Sequence, residues 1–122
     1  METPPDTSVD LVALGDILMH MPVVNDGLQS DGTYNYNSYF EMIREDIEAA
    51  DIAVINQETI LGGAELEYSG YPAFNSPQEM GDALVYTGFD VVLQANNHSM
   101  DTSCQFHFAR RQHDPAELSF TI

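Results

Sequence analysis

Three short apolar runs divide the chain at nearly even intervals. They begin near Val9, Ile52 and Phe89, and Asp10, Asp51 and Asp90 sit at or just before their starts, 41 and 39 residues apart. Leu11–Leu14, Ile52–Ile55 and Val91–Leu93 are aliphatic without polar alternation, the pattern of parallel strands covered on both faces. The spacing is too long for hairpins and suits successive strand–loop–helix units.

The connections carry their own signals. Asp16 to Tyr36 is a long loop with Pro22, Asn25-Asp26-Gly27, Asp31-Gly32 and Asn35 as turn formers. Its Tyr34 and Tyr36 either line a pocket or pack the loop. Asn37 or Ser38, with Glu41 three residues after Ser38, predicts a capped helix to about Ala50, with Phe40, Ile43, Ile47 and Ala50 on one face. Arg44 on the other face reads as a surface ion-pairing residue. Thr59 to Asn75 is a second long segment, with turns at Gly62-Gly63 and Ser69-Gly70. Glu65-Leu66-Glu67-Tyr68 alternates like a short exposed strand, as in a hairpin or a lid. Ser76-Pro77-Gln78-Glu79 predicts a second capped helix ending at Gly88.

Composition narrows the class. The 122 residues are 43% hydrophobic, enough for one modest folded domain. Twenty acids against three arginines and no lysine give a net charge of −17. Such a surface repels nucleic acid and anionic membranes and attracts cations, although solubility alone accounts for most of the acids. No apolar run reaches the ~18 residues of a membrane span. The acidic start does not resemble a signal peptide. The single Cys104 excludes an internal disulfide and a cysteine zinc cluster. Charge also changes along the chain: residues 1–101 hold 18 acids and one arginine, and residues 102–122 two of each. Residues 1–8 read as a flexible leader, 9–101 as the domain, and 102–122 as an atypical tail. That tail is either a foreign end left by truncation or frame change, or a short amphipathic helix around 105–113.

Each run breaks into polar chemistry at its C-terminal end, where open parallel sheets bind ligands. Leu11–Gly15 leads to Asp16, with His20 four residues later; Ile52–Ile55 leads to Asn56-Gln57-Glu58; Val91–Leu93 leads to Gln94-Ala95-Asn96-Asn97-His98-Ser99-Met100-Asp101. Glu58, beyond a buried strand, must face solvent or a cation. Asn97 offers a neutral oxygen ligand, His98 a proton, and Asp101 a carboxylate that can orient His98. Each has a plainer reading. Gly15-Asp16 is ordinary turn chemistry, Asn56 closes a turn, and a lone loop histidine such as His20 is more often just solvated. Asn97-His98 alone would be an Asx turn. Their convergence on equivalent strand ends favours a site.

Gly15-Asp16-Ile17-Leu18-Met19-His20, Asn56-Gln57-Glu58-Thr59, Gly70-Tyr71-Pro72-Ala73-Phe74-Asn75-Ser76-Pro77 and Asn96-Asn97-His98-Ser99-Met100-Asp101, in this order, resemble the poly-γ-glutamate capsule-synthesis (CapA-type) proteins of bacteria. These are similar to calcineurin-like metallophosphoesterases. The resemblance covers about residues 9–101. It implies an α/β fold, the N-terminal half of a calcineurin-like α/β/β/α sandwich with three mostly parallel strands and helices. It also implies two divalent metal ions (manganese, iron, zinc or magnesium) in the full-length parent. Asp16 would ligate the first metal, Glu58 would bridge, Asn97 would ligate the second, and His98 would contact phosphate or act as the acid.

The chain departs from the phosphoesterase pattern at Leu18, where a histidine is usual; His20 is the nearest substitute. Later histidine motifs of the family have no counterpart here, so the chain reads as a fragment that is inactive by itself. The resemblance leaves two functions open. One is a metal-dependent hydrolase acting on a phosphoester or cell-surface polymer. The other is a degenerate domain that binds polymer or a partner through its long loops. A signal or anchor upstream, typical of the family, would place the parent outside the cytoplasm.

Overall fold

The computed structural model describes residues 6–102, so most of the leader and all but the first residue of the tail, with Cys104, lie outside it. Its strands are β1 (Leu11–Ile17), β2 (Ile52–Gln57) and β3 (Val91–Leu93), and its helices are α1 (Met21–Asp26), α2 (Arg44–Ala49) and α3 (Glu79–Thr87). The strands form one sheet in the order β1-β2-β3, with both pairs parallel, as the spacing of the apolar runs predicts.

The aspartates that open the runs stitch the strand starts together. Asp51 Oδ2 accepts the Asp10 N–H at 2.8 Å, while the Asp51 N–H donates to the Asp10 carbonyl at 2.9 Å. Asp90 Oδ2 accepts the Ala53 N–H at 2.8 Å, and the Asp90 N–H donates to the Ala53 carbonyl at 2.9 Å. In both pairs a carboxylate substitutes for the missing ladder partner at the end of a strand.

Between Leu14 and Asp16 the register shifts: Leu14 pairs with Ile55, but Asp16, two residues on, pairs with Asn56, only one on. This is a β-bulge at Gly15. Side chains alternate between faces along a strand, so a one-residue slip changes the face. Val12 and Leu14 point to the core; without the bulge Asp16 would follow them. With it, Asp16 joins Asn56 on the opposite face, and Ile17 returns to the core beside the buried Gln57.

The helices cover one face of the sheet. Ala53, Ile55 and Val92 are buried there with Met19, Val24, Phe40, Ile47, Met80, Leu84 and Phe89. The other face carries Leu11, Ala13, Ile52, Val54, Val91 and Leu93. Leu11 is 60% exposed and Leu93 44%. The expectation of cover on both faces is thus corrected: among the described residues this face is open and apolar.

Several local expectations also change. The Asp16–Tyr36 loop contains α1, with Pro22 in its first turn. Tyr36 is core: it is fully buried and donates its hydroxyl to the Val24 carbonyl at 2.9 Å, and burial pushes its ionisation well above the ordinary range. Tyr34 stacks on Tyr36 and meets Tyr68 edge-on, so both tyrosines pack the loop. The helix expected from Ser38 is a single 3₁₀ turn at Asn37–Tyr39 followed by α2. Phe40 N–H and Ile43 N–H each donate three residues back, a tighter winding than an α-helix. Glu41 accepts the Tyr86 hydroxyl at 2.9 Å instead of closing a capping box. Arg44 does pair at the surface, with Glu48 at 2.8 Å, and lies over the Tyr86 ring.

The strand expected at Glu65–Tyr68 is a 3₁₀ turn at Ala64–Leu66, and Glu67 adopts a positive φ of 55°. Ser69 and Asn75 form an isolated antiparallel bridge that closes the loop. Ser76 does not cap α3, which starts at Glu79 without a side-chain cap. Its buried hydroxyl donates to Thr59 Oγ1 at 3.0 Å, tying the strap before α3 to the strap after β2. Gly88 ends α3 in the left-handed region at φ 98°, as expected, and its N–H donates to the Leu84 and Val85 carbonyls.

Two glycines separate bulge from packing. A β-carbon on Gly15 would meet nothing within 4 Å, whereas one on Gly27 would lie 2.2 Å from the Tyr36 ring. Gly15→Ala is expected to change stability by less than about 1 kcal/mol, and Gly27→Ala to cost about 1–3 kcal/mol or more, because the buried ring has no room to yield. Urea denaturation of both variants checks this. Charge gives a second expectation. Arg44 is the only Lys or Arg in residues 1–101, against 18 acids, so most carboxylates there lack a cationic partner in the sequence. Self-repulsion is screened by salt. The melting temperature is expected to rise by several degrees between 20 mM and 1 M KCl, roughly a sevenfold contraction of the Debye length; a fall would show that repulsion does not limit stability.

Candidate functional site

The first cluster lies at the C-terminal ends of β1 and β2. The bulge turns Asp16 toward Asn56, and Glu58, two residues after Asn56, extends on the same side. Asn56 Nδ2 donates to Asp16 Oδ1 at 2.6 Å and to Glu58 Oε2 at 2.6 Å. One neutral amide thus bridges two carboxylates from neighbouring strands. The sequence assigns Asn56 only to a turn; here it is the hub of the cluster. An open cleft of about 270 Å³ begins at Asp16 and is lined by Leu18, Val23, Tyr39, Ile43 and Met80. Leu18, at the position where phosphoesterases carry a histidine, contributes an apolar wall.

The second cluster is the loop after β3. Asn96 anchors it: its Nδ2 donates to the Gln57 carbonyl at 3.2 Å, its Oδ1 accepts the His98 N–H at 2.9 Å, and its carbonyl accepts the Ser99 hydroxyl at 2.8 Å. This holds His98 and Asp101 in place. His98 Nδ1 lies 2.8 Å from Asp101 Oδ2, with side chains 17% and 12% exposed. An ionised carboxylate only accepts, so Nδ1 carries the proton in this bond and Nε2 is the nitrogen left to meet a substrate. Asp101 Oδ2 also accepts the Phe74 N–H at 2.7 Å, tying the loop to the 69–75 segment.

Phe74 is the wall between the two predicted histidines. His98 meets its ring edge-on at 4.8 Å between centroids, and His20 at 5.1 Å. The buried Phe74 therefore gathers His20 and His98 around one ring, while Asp16 and Glu58 gather around Asn56. Asn97 is exposed in the third loop. Among the described residues no three His, Cys, Asp or Glu side chains converge as a metal-binding group. The donor chemistry of the first cluster nonetheless suits a cation. The carboxylates of Asp16 and Glu58, gathered on one amide, are hard oxygen donors of the kind that Mg²⁺ or Mn²⁺ accepts, with water filling the other positions.

Two residues escaped the sequence reading. Asn56 and Asn96 were legible only as polar residues after a strand. Their roles depend on which neighbouring strand and loop they meet, and nothing within their own segments encodes that.

Asp101 joins two loops through one oxygen, so its loss has a defined cost. Asp101→Ala leaves the Phe74 N–H and His98 without their acceptor and is expected to cost about 1–3 kcal/mol by urea denaturation; Asp101→Asn, which keeps one acceptor oxygen, is expected to recover part of that loss.

Comparison with known proteins places the chain. It is 31% identical over 98 residues to each of two uncharacterized proteins, y4sH and y4uA, of Sinorhizobium fredii (strain NBRC 101917 / NGR234). The match covers 75% of this chain and 19% of theirs, so the chain spans about a fifth of the relatives it matches. No solved structure is significantly similar. No helix among the described residues is long and apolar enough to cross a membrane. The bacterial capsule synthesis protein family PGA_cap matches residues 10–105, which takes in all three strands and both clusters. The parallel sheet with helices on one face agrees with half of a calcineurin-like domain. The chain belongs to the bacterial capsule synthesis protein (PGA_cap) family.

Proposed function

We propose that this chain carries part of the active site of a divalent-metal-dependent hydrolase of metallophosphoesterase type, acting on a phosphoester or a cell-surface polymer during capsule synthesis. The observation that carries the reading is the bridge of Asp16 and Glu58 by one amide at the carboxyl ends of two parallel strands. Two carboxylates brought this close are costly unless positive charge stands between them.

Asp16 and Glu58 would hold the first ion, with Asn97 reaching a second and His20 the nearest imidazole for the position that Leu18 leaves apolar. A bound divalent ion supplies Lewis acidity and a water of lowered pKa. The protein's own part is positional. The bulge at Gly15 aims Asp16, and Asn96 fixes the loop that presents His98. Asp101 holds the His98 ring by Nδ1, so that Nε2 can donate a proton to a leaving oxygen. The apolar cleft beside Asp16 gives a non-polar part of the substrate a place away from the charge. On this reading the enzyme acts at the cell surface, as capsule synthesis requires.

A second reading has one observation in its favour. Tyr71 is 79% exposed in the loop that Ser69 and Asn75 close, as expected of a side chain that contacts polymer directly. On that reading the domain binds without turnover, and Tyr71→Ala lowers binding of cell-surface polymer.

Elemental analysis after dialysis against manganese, followed by calorimetric titration, tests the first reading. The chain is expected to bind Mn²⁺, and Asp16→Ala and Glu58→Ala to weaken binding at least roughly tenfold, the loss expected when a carboxylate ligand is removed. Asn97→Ala should weaken it less in this chain. Binding unchanged in all three variants sinks the assignment. Absence of binding in the parent, with polymer binding that depends on Tyr71, would establish the second reading.

A further inference from the structure

Among the described residues, Asn56 is the one side chain that hydrogen-bonds both carboxylates of the first cluster, and the strand geometry sets its position. It is paired with Asp16 across the β1–β2 ladder only because of the bulge at Gly15. It stands two residues from Glu58, the strand repeat that returns a side chain to the same face. Both bonds run from Nδ2 to a carboxylate oxygen at 2.6 Å, and a hydrogen bond to an ionised acceptor is stronger than one between neutral groups. An amide has one nitrogen with two hydrogens, and here each carboxylate takes one of them. No backbone group of the strand would do this, because the ladder already uses it.

We propose that Asn56 is a built-in stand-in for the cation: in the metal-free protein its N–H₂ occupies the place between Asp16 and Glu58, and a divalent ion binds there by displacing it. The inference rests on the metal-binding reading above and adds what that reading lacks, an account of how two facing carboxylates remain together without metal. It also assigns Asn56 as the residue that sets affinity. Two charge-assisted hydrogen bonds favour the metal-free form, and the ion must outcompete both.

Truncating the side chain then has two effects of equal size and opposite sign. The metal-free protein loses the two bonds and exposes Asp16 and Glu58 to each other. The metal-loaded protein, in which the amide has already left, loses nothing. By linkage, what the variant loses in metal-free stability it gains in affinity.

The test compares the 122-residue chain with Asn56→Ala and Asn56→Ser, measuring melting temperature in EDTA, melting temperature in saturating Mn²⁺, and Mn²⁺ affinity by calorimetry. Expected for Asn56→Ala is a fall of roughly 5 °C or more in EDTA, no fall in Mn²⁺, and binding tighter by roughly tenfold, the scale of losing hydrogen bonds to charged groups. Asn56→Ser, with one short donor, should lie between. Weaker binding in Asn56→Ala, or unchanged binding with an unchanged melting temperature in EDTA, overturns the proposal. Failure of the underlying reading looks different: there the parent binds no Mn²⁺, and neither Asn56 variant gains binding, which removes both. A parent that binds through Asp16 and Glu58 but whose affinity ignores Asn56 removes this inference alone.

Discussion

Parallel pairing of β1 on β2 determines where the chemistry can be, because the sheet allows a side chain only two directions. The inward residues of β1 are Val12, Leu14 and Ile17, two apart and then three. The extra residue is Gly15, and it reverses Asp16. A β1 with unbroken alternation would bury the Asp16 carboxylate beside Leu14 and Ile17, where no cation partner waits and an isolated charge is expensive. The core thus demands the bulge as much as the site does. Asp16 is turned outward by the apolar residues on either side of it, and the bridge to Asn56 follows from that turn.

The same economy governs the third strand end. β3 is only three residues long, so it cannot by itself position a loop that carries a histidine and a carboxylate. The loop is fixed from the side, by Asn96 on the last residue of β2 and by Asp101 on the Phe74 N–H. Phe74 in turn is held by the Ser69–Asn75 bridge and by burial. Tertiary bonds between loops do here what strand length does elsewhere. The aspartates at the opposite end of the sheet, Asp51 and Asp90, act alike, each lending a side-chain oxygen where the ladder has run out.

Sequence pattern revealed what depends on one segment at a time. The three strands, their parallel order, the end of α3 at Gly88 and the surface ion-pairing role of Arg44 were all readable from the pattern of apolar, charged and turn residues. The capping signals at Ser38 and Ser76 misled because each serine has a competing environment. Ser76 is buried beside Thr59, and the segment after Ser38 winds as 3₁₀ turns so that Phe40 and Ile43 both reach the core. The cover expected on both sheet faces was not found, since aliphatic residues in a strand say that burial is favourable but not what provides it. Within the site, Asp16, Glu58, His98 and Asp101 stood out as titratable residues after strands. Asn56 and Asn96 did not, since an amide carries no charge to notice and works through partners about 40 residues away in the chain.

Those two amides suggest how an acidic chain tolerates a concentrated anionic site. With one arginine among 18 acids in residues 1–101, charge cannot be balanced by ion pairs. Neutral donors take that part: Asn56 between Asp16 and Glu58, the Phe74 N–H at Asp101, and backbone N–H groups at Asp51 and Asp90. An N–H dipole stabilises a carboxylate without cancelling its charge, so the field of the site stays negative and open to a cation. A lysine in the place of Asn56 would hold the same two carboxylates more strongly, but it would also remove the attraction for a divalent ion. The amide is the donor that satisfies both carboxylates and leaves their charge in place.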